Sequence, residues 1–262
     1  QIKSEVRYAD AKYSGELRIE HMPEDRVLGT SRTGLSMQHQ QQFTPALTGR
    51  LDLNKVTDAR YFVDLSSQVR TVSLGNLQRE GFLQYTGEVG ATSYSVQSRV
   101  QRFQTLQDPL APIVSPYHRV PQLNAGLARN DVGGWLDVFA AAEFVRFTHS
   151  TLVEGDRLSL NPVLTAPMLG PGHFLTPKLG VRYADYHLSR TNLAQPDRQS
   201  LTVPWLSVDG GLTFERGARW FGERATQTLE PRLFYAYAPY RAQDQIPLFD
   251  TTLADFNYAQ LF

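Results

Sequence analysis

The chain has 262 residues, with 26 lysines and arginines against 26 aspartates and glutamates, and no cysteine. The even charge leaves no basic footprint for nucleic acid, and the missing thiols exclude thiolate metal sites, thiol catalysis and disulfide frameworks. Apolar runs such as Phe139 to Ala142 are far short of the roughly 20 residues a membrane helix needs, but this does not exclude a barrel, whose strands show an apolar residue only at every second position.

Period-two alternation recurs along the chain and predicts strands over Ile2 to Ala9, Ser14 to Met22, Thr33 to Phe43 and Leu47 to Thr57. It continues over Glu80 to Gly90, Thr92 to Gln104, Gln122 to Asn130 and Gly134 to His149, and then over Arg157 to Ala166, Phe174 to Leu188, Thr202 to Glu215 and Thr226 to Tyr237. Tight connections such as Asp10-Ala11-Lys12, Thr44-Pro45-Ala46 and Gly90-Ala91 alternate with long ones over Asp58 to Gln78, Gln107 to Pro121 and Ser189 to Leu201. About twelve strands near ten residues in length, with short turns at one end and long loops at the other, describe an up-and-down membrane barrel. A soluble sandwich also alternates, but its apolar faces need a covering layer, and no helix-period stretch supplies one. Aromatic residues near strand ends, among them Tyr8, Tyr13, Phe43, Tyr94, Trp135, Phe147 and Trp205, suit the girdles that mark lipid–water interfaces. The Gln1 start reads as mid-strand and the Phe262 end as loop, so a fragment of a larger exported protein is expected.

The alternation divides the side chains into two sets. Leu17, Ile19, Leu51, Leu53, Leu83, Tyr85, Val208, Leu212, Leu233 and Tyr235 are expected on an outer, lipid-facing surface. Arg18, Arg50, Asp52, Arg99, Arg182, Asp209, Glu230 and Arg232 are the candidate lumen-facing residues, with Gln84 beside them. Their mixed signs favour internal ion pairing over a selective pore, which would carry a ring of one sign. Pro231, inside an otherwise convincing strand, predicts a bulge or register point in preference to a strand boundary, since proline cannot donate to a ladder. No catalytic constellation emerges. The six histidines are scattered singly, the carboxylates Asp137 and Glu143 suit a wet barrel wall, and no enzyme activity, metal or cofactor is expected.

The block Thr226-Gln-Thr-Leu-Glu-Pro-Arg-Leu-Phe-Tyr-Ala-Tyr-Ala-Pro-Tyr-Arg241 resembles a signature of the LptD family of lipopolysaccharide-assembly outer-membrane proteins. Gln243 to Asp250, Asp255-Phe256-Asn257-Tyr258 and Leu261-Phe262 are similar to the loop that follows it, and Glu5 to Tyr8, Gly15 to Pro23 and Tyr61 to Leu65 are similar to earlier segments. The resemblance implies a barrel of roughly 26 strands, near the upper end of the usual range. It further implies a preceding periplasmic jellyroll that receives lipopolysaccharide from periplasmic bridge proteins, an LptE-like plug lipoprotein in the lumen, and lateral release through a seam between the first and last strands. On that basis residues 1–262 are expected to be an open, partial sheet of one large outer-membrane barrel domain that transports and assembles lipopolysaccharide. A diffusion porin or plugged uptake receptor, and a soluble carbohydrate-binding β-sandwich, remain as alternatives.

Overall fold

The structure is a computed structural model that describes residues 1–27, 29–65, 75–190 and 196–251. The chain forms β1 (Ile2–Ala9), β2 (Tyr13–Met22), β3 (Arg32–Gln42) and β4 (Leu47–Val56), then a short helix, α1 (Tyr61–Leu65). It continues through β5 (Asn76–Val89), β6 (Thr92–Thr105), β7 (His118–Val132), β8 (Leu136–Thr148), β9 (Glu154–Thr165), β10 (Met168–Gly170), β11 (His173–Arg190) and β12 (Arg198–Leu212). The last elements are β13 (Phe214–Trp220), β14 (Glu223–Leu229) and β15 (Arg232–Tyr237). All pairings are antiparallel, and the main sheet runs in the order β1 to β9, then β11, β12 and β15, with β10 hooked onto β11. β1 and β15 are the two edges of that sheet, and no ladder joins them among the described residues, so the sheet is open.

Short turns gather at one rim. Val89 and Thr92 pair across Gly90-Ala91, where Gly90 takes φ 60°, the left-handed conformation that glycine adopts without a Cβ clash. Several strand glycines lie under an aromatic ring on the facing strand: Tyr8 covers Gly15, Tyr94 covers Gly87, Trp205 covers Gly180 and Phe174 covers Gly211. A ring laid across a glycine restores the packing that the missing side chain forfeits, and so makes glycine tolerable within a strand.

Register decides which side chains share a face. The pairs Val6–Leu17, Leu17–Met37, Met37–Leu53, Leu51–Gly81, Leu83–Ser98, Val208–Tyr235 and Gly210–Leu233 carry one apolar face across the sheet. The pairs Glu5–Arg18, Gln40–Arg50, Asp52–Glu80, Phe82–Arg99, Thr176–Asp209 and Gly211–Arg232 carry the opposite, polar face. All ten apolar residues named from the sequence lie on the first face. Leu83 is 47%, Leu212 48% and Leu233 76% exposed, an uncovered apolar surface far larger than a soluble monomer carries.

Three expectations need correction. Thr226 to Tyr237 is not one strand: β14 and β15 are separated at Glu230-Pro231, and β12 and β13 at Thr213. No bulge accompanies this break, because pairing resumes in the same register, with Gly211 opposite Arg232 and Phe214 opposite Leu229. The Leu212 N–H donates to the Pro231 carbonyl at 3.0 Å, but proline has no N–H to return, and the Thr213 N–H turns instead to Gly172 at 2.8 Å. Pro231 therefore cuts the ladder without shifting it, while register shifts occur where the sequence showed no sign of them, at Arg99/Gln101, Arg119/Gln122, Arg129/Val132 and Leu188/Arg190. Finally, Phe147 and Trp205 do not belong to an outer girdle; both lie on the polar face, Phe147 fully buried there.

Leu51 sits midway between Leu47 at the short-turn rim and Lys55 near the other rim. Leu51→Arg is expected to destabilise the bilayer-inserted full-length protein by about 2–4 kcal/mol, and Gln84→Arg on the polar face by less than about 1 kcal/mol. Urea titrations in lipid check this; equal costs at the two positions would mean that the faces are wrongly assigned.

Candidate functional site: the polar face and its ion-pair ring

Two segments from the long-loop side fold back onto the polar face and organise it. In the first, Arg32, at the start of β3, is 1% exposed and donates to three aspartates: Nη1 to Asp25 at 3.0 Å, Nη2 to Asp58 at 2.7 Å and Nη1 to Asp64 on α1 at 3.1 Å. A buried guanidinium needs such a surround, since the cost of leaving it unpaired in a dry site is several kcal/mol. Tyr61 on α1 lies over Gly34, with the Arg32 guanidinium 5.6 Å from its ring centre and its hydroxyl donating to Glu20 at 3.3 Å. Burial, and then the Glu20 carboxylate, push the Tyr61 ionisation up to about 12.

The second segment follows β15. Phe249 stacks on Phe147 with ring centres 4.4 Å apart and meets Tyr117 edge-on at 5.1 Å, closing a cluster with Val145, Tyr186 and Leu188. Its neighbour Asp250 accepts from Arg157 at 2.6 and 3.1 Å.

From Asp250 a closed ring of charged and amide groups can be followed across five strands. Arg157 reaches Glu143 at 2.8 Å, Gln122 donates to Glu143 at 2.6 Å, and Arg99 lies 3.4 Å both from the Gln122 amide oxygen and from Glu80. Glu80, 3% exposed, accepts from Gln101 at 2.9 Å; Gln101 accepts from Arg119 at 2.7 Å; and Arg119 returns to Asp250 at 3.6 Å. Arg50 is a spur on this ring, 2.7 Å from Glu80. Each carboxylate touches at least one guanidinium or amide, which offsets its removal from water within the wall.

The sequence-derived candidates that lie in strands fall on this face, but they do not converge on one point. Arg50 and Arg99 meet at Glu80, and Asp52 accepts from Asn54 at 2.7 Å nearby. Arg18 lies two strands away, 3.1 Å from Glu5 and also bonded to Glu16. Arg232 holds Asp209 bidentately at 2.6 and 2.8 Å near the far edge, which draws the two strands together across the Pro231 break. Arg182 on β11 faces Val203 on β12, and Glu230 sits exposed in the break itself. Sequence reasoning missed Arg32, Glu80, Gln101, Arg119, Gln122, Arg157 and Asp250. The one available signal was the Phe249-Asp250 pair at the end of a polar loop, an aromatic anchor beside a charge. Of the resembling motifs, Asp255 to Tyr258 and Leu261-Phe262 lie outside the described residues.

A long antiparallel sheet, greasy and uncovered on one side among the described residues and lined by ion pairs on the other, defines the wall of an outer-membrane β-barrel protein. The sequence profile of the family described as "LptD: LPS transport system D" matches residues 30–262. LPS-assembly protein LptD of Azoarcus sp. (strain BH72) is 46% identical over 268 residues, covering 100% of this chain and 32% of its own length. The LptD proteins of Ralstonia nicotianae and Nitrosospira multiformis are 40% and 39% identical, covering 100% and 99% of this chain and 33% and 28% of their own lengths. The chain belongs to the LptD family and spans about a third of the length of these relatives.

Two outcomes are expected from this geometry. Arg157→Met in the full-length protein leaves Glu143 and Asp250 without their shared cation, should cost roughly 3–5 kcal/mol, and should expose residues 243–250 to protease; unchanged proteolysis would mean that Asp250 does not hold the segment. Because the ionisation of Tyr61 is raised, its docking is complete below pH 10 and is lost as pH rises from 10 towards 12. A phenolate absorbance titration should therefore show a component near 12 that Tyr61→Phe removes.

Proposed function

We propose that this chain is part of the wall of a single large barrel that inserts lipopolysaccharide into the outer leaflet of the outer membrane, with the polar face as its lumen. The observation that carries this reading is the two-faced sheet: its apolar side has no protein cover among the described residues, and most charges on its polar side are paired with one another. Membership of the LptD family, whose matched relatives bear the name LPS-assembly protein, points to the cargo. The open edges at β1 and β15 support continuation of the sheet into further strands.

In this reading the protein is a conduit and not an enzyme. Acyl chains pass to lipid, and the sugar-phosphate head group moves along the hydrated wall. Paired charges suit that role, since a lone guanidinium ring would trap a phosphorylated head group while Arg–carboxylate pairs offer it only weak, exchangeable contacts. An LptE-like plug lipoprotein would fill the lumen, and periplasmic bridge proteins would deliver cargo through a preceding jellyroll. The energy for transport comes from elsewhere in the pathway.

Depletion of the full-length protein is expected to remove newly made lipopolysaccharide from the cell surface, as read by surface labelling of the glycolipid. Normal surface labelling accompanied by altered uptake of small solutes would support a diffusion porin instead.

A further inference from the structure

The apolar face carries a row of charges where its strands approach the long-loop rim, and that row is uneven. On β8 and β9, Arg146 is neutralised by Asp156 at 2.8 Å, and on β11 and β12, Arg198 by Asp185 at 3.2 Å. On β4, β5 and β6 the corresponding residues are Lys55, Arg79 and Arg102, all cations. Arg79 is the direct cross-strand partner of both Leu53 and Arg102, and Lys55 lies one step further along the same face of β4. No carboxylate occurs on this face of β3 to β6, and none of the three cations has an acidic partner among the described residues. Like charges directly opposite each other repel, so Arg79 against Arg102 weakens the ladder unless an anion joins them.

Immediately below the cations the same face is hollow. Gly81 follows Arg79 on β5 and lies between Leu51 and Val100, and a Cβ placed on it would meet only the Leu51 Cδ1, at 4.0 Å. The hollow continues past Gly49 and is walled by Phe43 and Leu83. Leu47 and Lys55 are about eight residues apart along β4, or ~27 Å at strand rise and ~20 Å along the membrane normal at barrel tilt, which sets the cations at the upper edge of the apolar band.

We propose that Lys55, Arg79 and Arg102, with the Gly81 hollow beneath them, form a site on the outside of the barrel for a phosphorylated glycolipid of the leaflet on the long-loop side. The phosphate sits among the three cations and an acyl chain lies in the hollow. The site lies on the opposite face from the conduit proposed above, and rests on that reading only for the identity of the leaflet. A phosphate cancels the Arg79–Arg102 repulsion, which water at a bilayer interface does less well. A glycolipid, whose chains hang directly beneath its phosphates, fits a cation cluster set directly above an apolar trough.

The test uses the full-length protein in phosphatidylcholine nanodiscs doped with bis-phosphorylated lipid A, with the same lipid A after dephosphorylation, or with phosphatidylglycerol, and reads retained lipid by native mass spectrometry. The wild type is expected to retain bis-phosphorylated lipid A in preference to the other two. The variant K55Q/R79Q/R102Q should retain it at least about tenfold less, and Gly81→Phe should lower retention with the charges intact. Arg198→Gln, at the same rim, should leave retention unchanged. Equal retention by the triple variant, or phosphatidylglycerol held as well as lipid A, would overturn the site in favour of cations that merely snorkel to the interface. The proposed function is tested separately, by surface delivery of lipopolysaccharide in cells, so failure of the site and failure of the conduit give different results.

Discussion

Every other feature of this molecule depends on the antiparallel ladder. In hydrocarbon a backbone N–H or C=O without a partner costs several kcal/mol, so each strand must be paired along both of its sides over its full crossing. Sequential pairing from β1 to β12 meets that demand with the shortest connections. It also fixes, through a strict period of two, which side chains meet lipid and which do not. The Pro231 site shows how strong the demand is. One missing N–H removes one ladder bond, yet register is held on both sides of the gap, and Arg232 clamps Asp209 next to it.

The ladder leaves charges in a single-layer wall, and the polar face handles them by closure. Glu80, Glu143 and Asp250 are each shared between neighbours, so that no one of them has only one contact to lose. Removing a member exposes its partners to the desolvation cost that the ring otherwise offsets. Phe249 and Asp250 enter this arrangement from a loop, and they use two different forces at once: aromatic stacking on Phe147 and a bidentate ion pair with Arg157. Tyr61 and Asp64 do the same at the Arg32 hub. Both inserts thus bind the wall through contacts that need the folded sheet to exist first.

The two faces differ in how far their chemistry is settled within the chain. On the polar side most charges are paired locally, through the ring around Glu80, Glu143 and Asp250 and the Asp209–Arg232 clamp. On the apolar side pairing is complete at Arg146 and Arg198 and absent, among the described residues, at Lys55, Arg79 and Arg102, which leaves a demand that the surrounding membrane must meet. In the proposed reading, one wall then offers a polar route on one face and a fixed lipid contact on the other.

Strand positions and face assignments were legible because both follow from local alternation. Leu51 and Arg50 fall on opposite faces whatever the partner strand is, since successive side chains must point apart. The block from Thr226 to Arg241 was legible as a family resemblance for the same reason, being a contiguous run. Contacts between residues distant in sequence were not. Nothing near Glu80 announces Gln101 or Arg99, nothing near Arg157 announces Asp250, and Phe147 reads as one more aromatic at a strand end until Phe249 covers it. Register shifts at Arg119/Gln122 and elsewhere were equally hidden, because they belong to a pair of strands and not to either one. By itself the sequence determined the period, the two faces and the alternation of short and long connections. Only the tertiary structure decided which charges close the ring, which stay unpaired, and which loop residues return to the wall, because those are set by register and loop path across strands far apart in the chain.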